Sequence, residues 1–258
     1  MSHKAYTIDE VLAFPPQKYL IGDILPMGLS LMAGQPKTGK SFIALDWALS
    51  IASGIRWMEK ATVQGPVLYM QSEAPGTLPK RLDAWMYKHD KKSKDIDIRF
   101  DTQPTDLRDV ERVCDDIAEH LDSQTLVVFD TLSKNNHGSE TDDKDMPSLV
   151  RVCDFISTNF GASVLLVHHS TKENTQYTTQ DGKSKVNVSS WYRGHGSLLA
   201  GIDAGISISR RTRAGDDLCI KMTCEAARHD EPFDPIALHI EPIRESVIFT
   251  PCHKDHGR

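Results

Sequence analysis

From residue 24 onward the chain alternates short apolar runs with longer, helix-like stretches. ILPMGLSLMAG (24–34) reads as an apolar strand ending in glycine. Residues 41–53 follow as a helix, with Gly54 as its stop. That helix is apolar nearly all round, through Phe42, Ile43, Leu45, Trp47, Leu49 and Ile51, so it is expected to be buried against a sheet. GPVLYMQSE (65–73) is a second short strand. Across 104–121, Leu107, Val110, Cys114, Ile117 and Leu121 recur at three- and four-residue steps, which predicts a helix with one apolar face. TLVVFD (125–130) is apolar up to its final aspartate, as expected of a strand covered on both faces. A polar stretch, a helix over 146–160 and a buried strand, ASVLLVHHS (162–170), come next.

Residues 171–190 form the longest uninterrupted polar stretch and show no periodicity. A loop of that length inside a compact domain is a candidate for function. Beyond it the pattern changes to closely spaced strands, AGISISR, LCIKMTCEAA, IALHIEP and SVIFTP, expected to pair as hairpins. The order predicts an α/β fold: a mostly parallel central sheet flanked by helices, with antiparallel C-terminal strands. Residues 1–20, which include Phe14-Pro15-Pro16, are expected to be an N-terminal arm, and 21–258 a single domain.

Composition narrows this little. A chain of 258 residues can bury a full core. The formal net charge of −6 excludes a global basic field, although a local basic loop or a ring channel can still hold DNA. The five cysteines form no CxxC pair and read as reduced thiols. No apolar run approaches the roughly 20 residues of a membrane span, and MSHKAYTIDE has no apolar signal core, so a cytoplasmic protein without membrane contact is expected.

The chemistry begins at GQPKTGKS (34–41), which fits G-x-x-x-x-G-K-[ST] between the first strand and the following helix. Gly34 and Gly39 let the backbone curl until several N–H groups converge on phosphate oxygens, and the helix N-terminus adds its dipole. The candidate nucleotide-binding stretch is Gly34, Gln35, Pro36, Lys37, Thr38, Gly39, Lys40, Ser41 and Phe42. Lys40 would reach the β- and γ-phosphates and Ser41 would ligate Mg²⁺. Pro36 and Lys37 occupy positions the motif leaves unconstrained. Asp130 ends a buried strand, where a second carboxylate for the metal is needed. Glu73 ends the strand after the P-loop helix and could lie beside Asp130 to activate water. His168 and His169 end the next strand, and because neighbouring strand residues face opposite sides, at most one can look toward the γ-phosphate.

These residues resemble RecA-type P-loop ATPases, nearest to the RepA-like replicative helicases of plasmids and phages. The likeness is carried by LIGDILPMGLSLMAGQPKTGKSFIALDWALSIASG, GPVLYMQSEAPGTLPKRLDAW, TLVVFDTLSK, SVLLVHHSTK and WYRGHGSLLAGIDAGISISR, in family order over about residues 19–210. It implies a RecA-like P-loop NTPase core using ATP and Mg²⁺. It also implies that Asp130 is the Walker B aspartate, Glu73 the catalytic glutamate and His169 the sensor position. Arg193 resembles the arginine that reaches a neighbouring subunit's γ-phosphate. Related helicases often carry a Lys-x-Arg strand motif with the same task; here the text is Ala226-Ala227-Arg228, so the arginine matches and the lysine does not. In the family the polar loops corresponding to 134–146 and 171–190 line a central channel. That places Lys172, Lys183 and Lys185, with Tyr177 and Trp191 as stacking groups, against single-stranded DNA.

The leading reading is therefore a ring-forming, ATP-driven single-stranded DNA helicase, a homo-oligomer and by resemblance a hexamer. Two alternatives remain: a recombinase or strand-annealing protein that uses ATP as an assembly switch, and a regulatory ATPase that binds a protein partner.

Overall fold

The computed structural model describes residues 5–103, 105–107, 109–118, 125–132, 145–169, 176–178, 184–186, 200–212 and 218–252. A capping box between Thr7 and Glu10 starts a one-turn helix, α1 (Ile8–Leu12), which buries none of its residues. The domain proper begins with β1 (Tyr19–Ile21), antiparallel to β2 (Leu25–Pro26). Leu20 and Ile21 are fully buried. The apolar run 24–34 divides into β2 and β3 (Leu29–Gly34), because Gly28 takes φ +115 between them. A Cβ there would strike the Asp203 carboxylate, which accepts the Leu29 N–H.

The remaining elements are α2 (Lys40–Ser53), β4 (Val67–Gln71), α3 (Leu78–His89), β5 (Ile98–Asp101), α4 (Val110–Ala118), β6 (Leu126–Asp130), α5 (Asp145–Phe160) and β7 (Ser163–His169). After them come the short hairpin β8 (Gln176–Thr178) and β9 (Ser184–Val186), then β10 (Ala204–Thr212), β11 (Leu218–Ala227), β12 (Ile236–Ile243) and β13 (Ser246–Pro251). Within the polar stretch 171–190 the hairpin pairs Gln176, Tyr177 and Thr178 with Val186, Lys185 and Ser184.

Nine strands form one sheet in the order β13-β12-β11-β10-β3-β7-β6-β4-β5. The six from β10 to β5 run parallel and the C-terminal ones antiparallel, as the alternation of strand and helix predicts. Strand alternation sorts the side chains into two cores. Met32, Tyr69, Val128 and Val167 face α2, while Leu31, Met70, Phe129 and Leu166 face α4 and α5.

Every position of α2 from Ile43 to Ser53 is buried apart from Asp46, which keeps slight access to solvent although its carboxylate is enclosed by the two indoles of Trp57 and Trp85. One sheet face cannot cover such a helix. Strands β11–β13 complete the cover by curling back over it: Ile220, Met222, Leu238 and Phe249 join the same core. The β12–β13 turn then meets α3, where Arg244 donates to both Asp83 oxygens at 2.8 Å and stacks on Tyr87, and Lys80 pairs with Glu245 at 2.6 Å. No helix among the described residues is long and apolar enough to cross a membrane.

Asp46 ties this layer together. Its carboxylate accepts the indole N–H of Trp57 and of Trp85, each at 2.7 Å. Burial raises its pKa from 3.8 to about 6 against the pull of those two bonds. The native state therefore holds the Asp46 proton more tightly than the unfolded chain does. That contribution to stability is complete below about pH 4 and is lost as pH rises through about 6. Over that interval wild type should lose about 2 kcal/mol of unfolding free energy relative to Asp46→Asn, read by urea denaturation. Parallel pH profiles for the two proteins would refute the buried-acid assignment.

Candidate active site

β3 ends at Gly34, and residues 35–39 turn back to launch α2 at Lys40. Packing demands the first motif glycine and backbone conformation the second. A Cβ on Gly34 would lie 2.2 Å from the Ile208 carbonyl oxygen. Gly39 has φ +97, and its Cβ would lie 2.5 Å from Ile220. Lys37, which the motif leaves unconstrained, also adopts the left-handed region at φ 64. The buried Thr38 hydroxyl donates to the Gln35 carbonyl at 2.8 Å and braces the turn, while Gln35, Pro36 and Lys37 are exposed.

Lys40 is only 3% exposed. Its ammonium donates to the carbonyls of Gly34 (2.9 Å) and Gln35 (2.8 Å) and lies 3.1 Å from His169 Nδ1. Burial lowers its pKa to about 8, opposed by the more distant Asp130 and Glu73. Burial and the neighbouring Lys40 likewise push His169 down, which keeps the imidazole neutral. The buried cation thus has only uncharged hydrogen-bond partners, and an anion such as phosphate would complete it.

The second half of the site lies on β6. Ser41 Oγ donates to Asp130 Oδ1 at 2.9 Å, and Tyr69 Oη donates to Asp130 Oδ2 at 2.8 Å. Asp130 is buried, which raises its pKa despite those two bonds and the nearby Arg81. A hydroxyl and a carboxylate are the hard oxygen ligands that suit Mg²⁺, an ion that retains most of its waters and needs few protein ligands. The set therefore fits a phosphate with its metal: Lys40 and the 34–39 backbone on the anion, Ser41 and Asp130 on the cation.

Glu73 lies two residues beyond β4. Its position is set by buried Gln71, whose amide donates to the carbonyls of Glu73 (3.0 Å) and Ala74 (3.2 Å). The Glu73 carboxylate is 3.6 Å from His169 Nε2 and 3.5 Å from Thr131 Oγ1. His169 therefore stands between Lys40 and Glu73. His168 lies on the other side of the sheet strand, so strand parity places His169, and not its neighbour, at the P-loop. Phe42 meets Phe249 edge-on at 6.3 Å, and the Arg81 guanidinium sits 4.2 Å over its ring.

The structure thus brings together Lys40, Ser41, Glu73, Asp130 and His169. Arg228 lies elsewhere. Its backbone N–H bonds to the Asp203 carbonyl, and its side chain reaches the Asp203 carboxylate (3.5 Å) and the Ala200 carbonyl. Asp203 in turn bonds to Leu29, at the opposite end of β3 from Gly34 and about 16 Å away by strand rise. Lys185 lies in β9, paired with Tyr177 of β8. Arg193, Lys172, Lys183 and Trp191 fall outside the described residues, as do residues 134–144. Three site residues escaped the sequence reading: Tyr69 and Gln71 looked like ordinary strand residues, and Arg81 lies on α3, which carries no motif.

Residues 5–175 match the family described as an AAA domain. In fold, the chain is similar to a KaiC-like protein of the hyperthermophilic archaeon Pyrococcus horikoshii, with TM-score 0.56 and 15% identity over 92% of this chain and 100% of that one. It is also similar to the RadB recombinase, with TM-score 0.54 and 18% identity over 83% and 87% of the two chains. No curated protein matches the sequence. At these identities the likeness is one of fold, and the fold is RecA-like, as the resemblance of the motif segments implies.

Burying Lys40 costs stability as long as it is charged. Lys40→Met should therefore abolish binding of a fluorescent ATP analogue yet raise the unfolding free energy of the nucleotide-free protein at pH 7 by about 1–3 kcal/mol. The gain should shrink as pH rises from about 8 toward 10.5, where wild-type Lys40 sheds its charge in the folded state. A destabilised Lys40→Met at pH 7 would contradict the reading of Lys40 as a cation short of a partner.

Proposed function

The chain belongs to the AAA domain family, and on that premise we propose that it is an ATP-hydrolysing motor on single-stranded DNA, working as a ring of identical subunits. The observation that supports this best is the meeting of five side chains at the carboxyl edge of the parallel strands, where α/β folds bind ligands. Lys40 and the loop backbone hold the β- and γ-phosphates of ATP. Ser41 and Asp130 hold Mg²⁺, which when bound neutralises charge on the phosphate oxygens. Glu73 takes the proton of the attacking water. His169, in contact with both Lys40 and Glu73, senses whether the γ-phosphate is present.

The proposal also needs an arginine supplied from a neighbouring subunit to the γ-phosphate. Arg228, at the far end of β3, can reach a γ-phosphate only on another subunit, and Arg193 is the second candidate for that role. Assembly then becomes a condition of turnover, with ATP held between copies. On the resemblance to RepA-type helicases the ring is a hexamer, and Lys172, Lys183 and Lys185 of the 171–190 segment contact the DNA strand in its channel. The same likeness supports the chain working in DNA replication, in the cytoplasm.

Single-stranded DNA should accelerate ATP hydrolysis by the wild type, and an annealed strand should be displaced by it but not by Lys40→Ala. Glu73→Gln should bind ATP and lose about 10²–10⁴-fold in kcat. Arg228→Ala should likewise bind ATP and lose turnover, and mixing it with Glu73→Gln should restore activity at the mixed interfaces that combine an intact Glu73 with an intact Arg228. Strand annealing that survives Glu73→Gln, with no displacement by wild type, would favour the assembly-switch reading. A monomer under turnover conditions would refute the shared site.

A further inference from the structure

Asp130 is held from two sides, and only one of them comes from the P-loop. Ser41 donates to Oδ1 at 2.9 Å. The other oxygen, Oδ2, accepts the Tyr69 hydroxyl at 2.8 Å. Tyr69 stands on β4, next to β6, paired with Val128, two residues before Asp130. It is fully buried, tilted against Phe100, and its hydroxyl lies 3.4 Å from the Ser41 carbonyl in the first turn of α2.

From this geometry we infer that Tyr69 is a positioning residue for the metal half of the site. Its hydroxyl fixes the rotation of the Asp130 carboxylate. The inference rests on the nucleotide-site reading above and adds to it a residue that touches neither phosphate nor metal. A carboxylate bonded through one oxygen alone can rotate about its Cβ–Cγ bond, whereas the pair of bonds to Ser41 and Tyr69 leaves one orientation. Mg²⁺ demands near-octahedral geometry, so an acceptor free to rotate binds it more weakly, as happens when outer-shell hydrogen bonds to metal ligands are removed. The phosphate half does not involve Tyr69: Lys40 is held by Gly34, Gln35 and His169.

The two halves can be separated by titration. Affinity for a non-hydrolysable ATP analogue is measured in EDTA and then across a Mg²⁺ series, on wild type, Tyr69→Phe, Tyr69→Leu and Phe100→Leu. Both Tyr69 variants should keep their EDTA affinity within about twofold and require about 10-fold more Mg²⁺ for half-maximal tightening. Phe100→Leu loosens the packing around the same ring but keeps the hydroxyl, and should titrate like wild type. An unchanged Mg²⁺ midpoint in the Tyr69 variants would overturn the inference. So would an equal loss of affinity with and without Mg²⁺, or an equal midpoint shift in Phe100→Leu, since each would mean that Tyr69 only supports the packing. A wild type whose affinity ignores Mg²⁺ would overturn the nucleotide-site reading itself, and the Tyr69 role with it.

Discussion

The nucleotide edge of this domain depends on burying a helix that has almost no polar face. α2 carries the P-loop lysine in its first turn and then presents apolar residues all round. The parallel strands cover one side of it. The other side, with Phe42, Leu45 and Leu49, is covered by β13 and by α3. The antiparallel extension is thus the second wall of the P-loop helix, and Ile220 and Phe249 press on Gly39 itself. A side chain at position 39 would meet the tip of Ile220, but what requires glycine there is the backbone at φ +97.

Within that enclosure, charge is arranged against the apolar surroundings. The two ionised groups at the centre, Lys40 and Asp130, are both nearly inaccessible, and both are pushed toward their neutral forms. Each is stabilised through hydrogen bonds to neutral groups: carbonyls and an imidazole for the lysine, two hydroxyls for the aspartate. A bound polyphosphate with its metal would supply opposite charge to each. This is the opposite of a site optimised for the stability of the empty protein, and it is the usual signature of a site shaped for a ligand.

Much of this was legible in the sequence because it rests on local pattern. The period-two and all-apolar runs located β3, β4, β6 and β7. The spacing of GQPKTGKS predicted the strand–loop–helix turn, and Asp130 and His169, which end neighbouring parallel strands, with Glu73 just beyond a third, must lie at one edge. What stayed hidden depends on tertiary contacts. β5, an edge strand of only four residues, and α3, with little of its surface buried, give weak signals. Tyr69 and Gln71 matter through one polar atom each, and in the sequence they read as strand residues. The return of β13 onto α3 is set by sheet curvature and by Arg244 and Asp83, far apart in the chain. The RepA-type helicase function came from resemblance, so the fold supports only its coarser RecA-like core.

Because the second wall of the P-loop helix is built from β11–β13, the site is closed by the last part of the domain to leave the ribosome. Residues 34–41 emerge early, yet Gly39 meets Ile220 and Phe249 only after about two hundred further residues have been made. A nascent or C-terminally clipped chain would carry the whole phosphate motif and still leave its helix half uncovered.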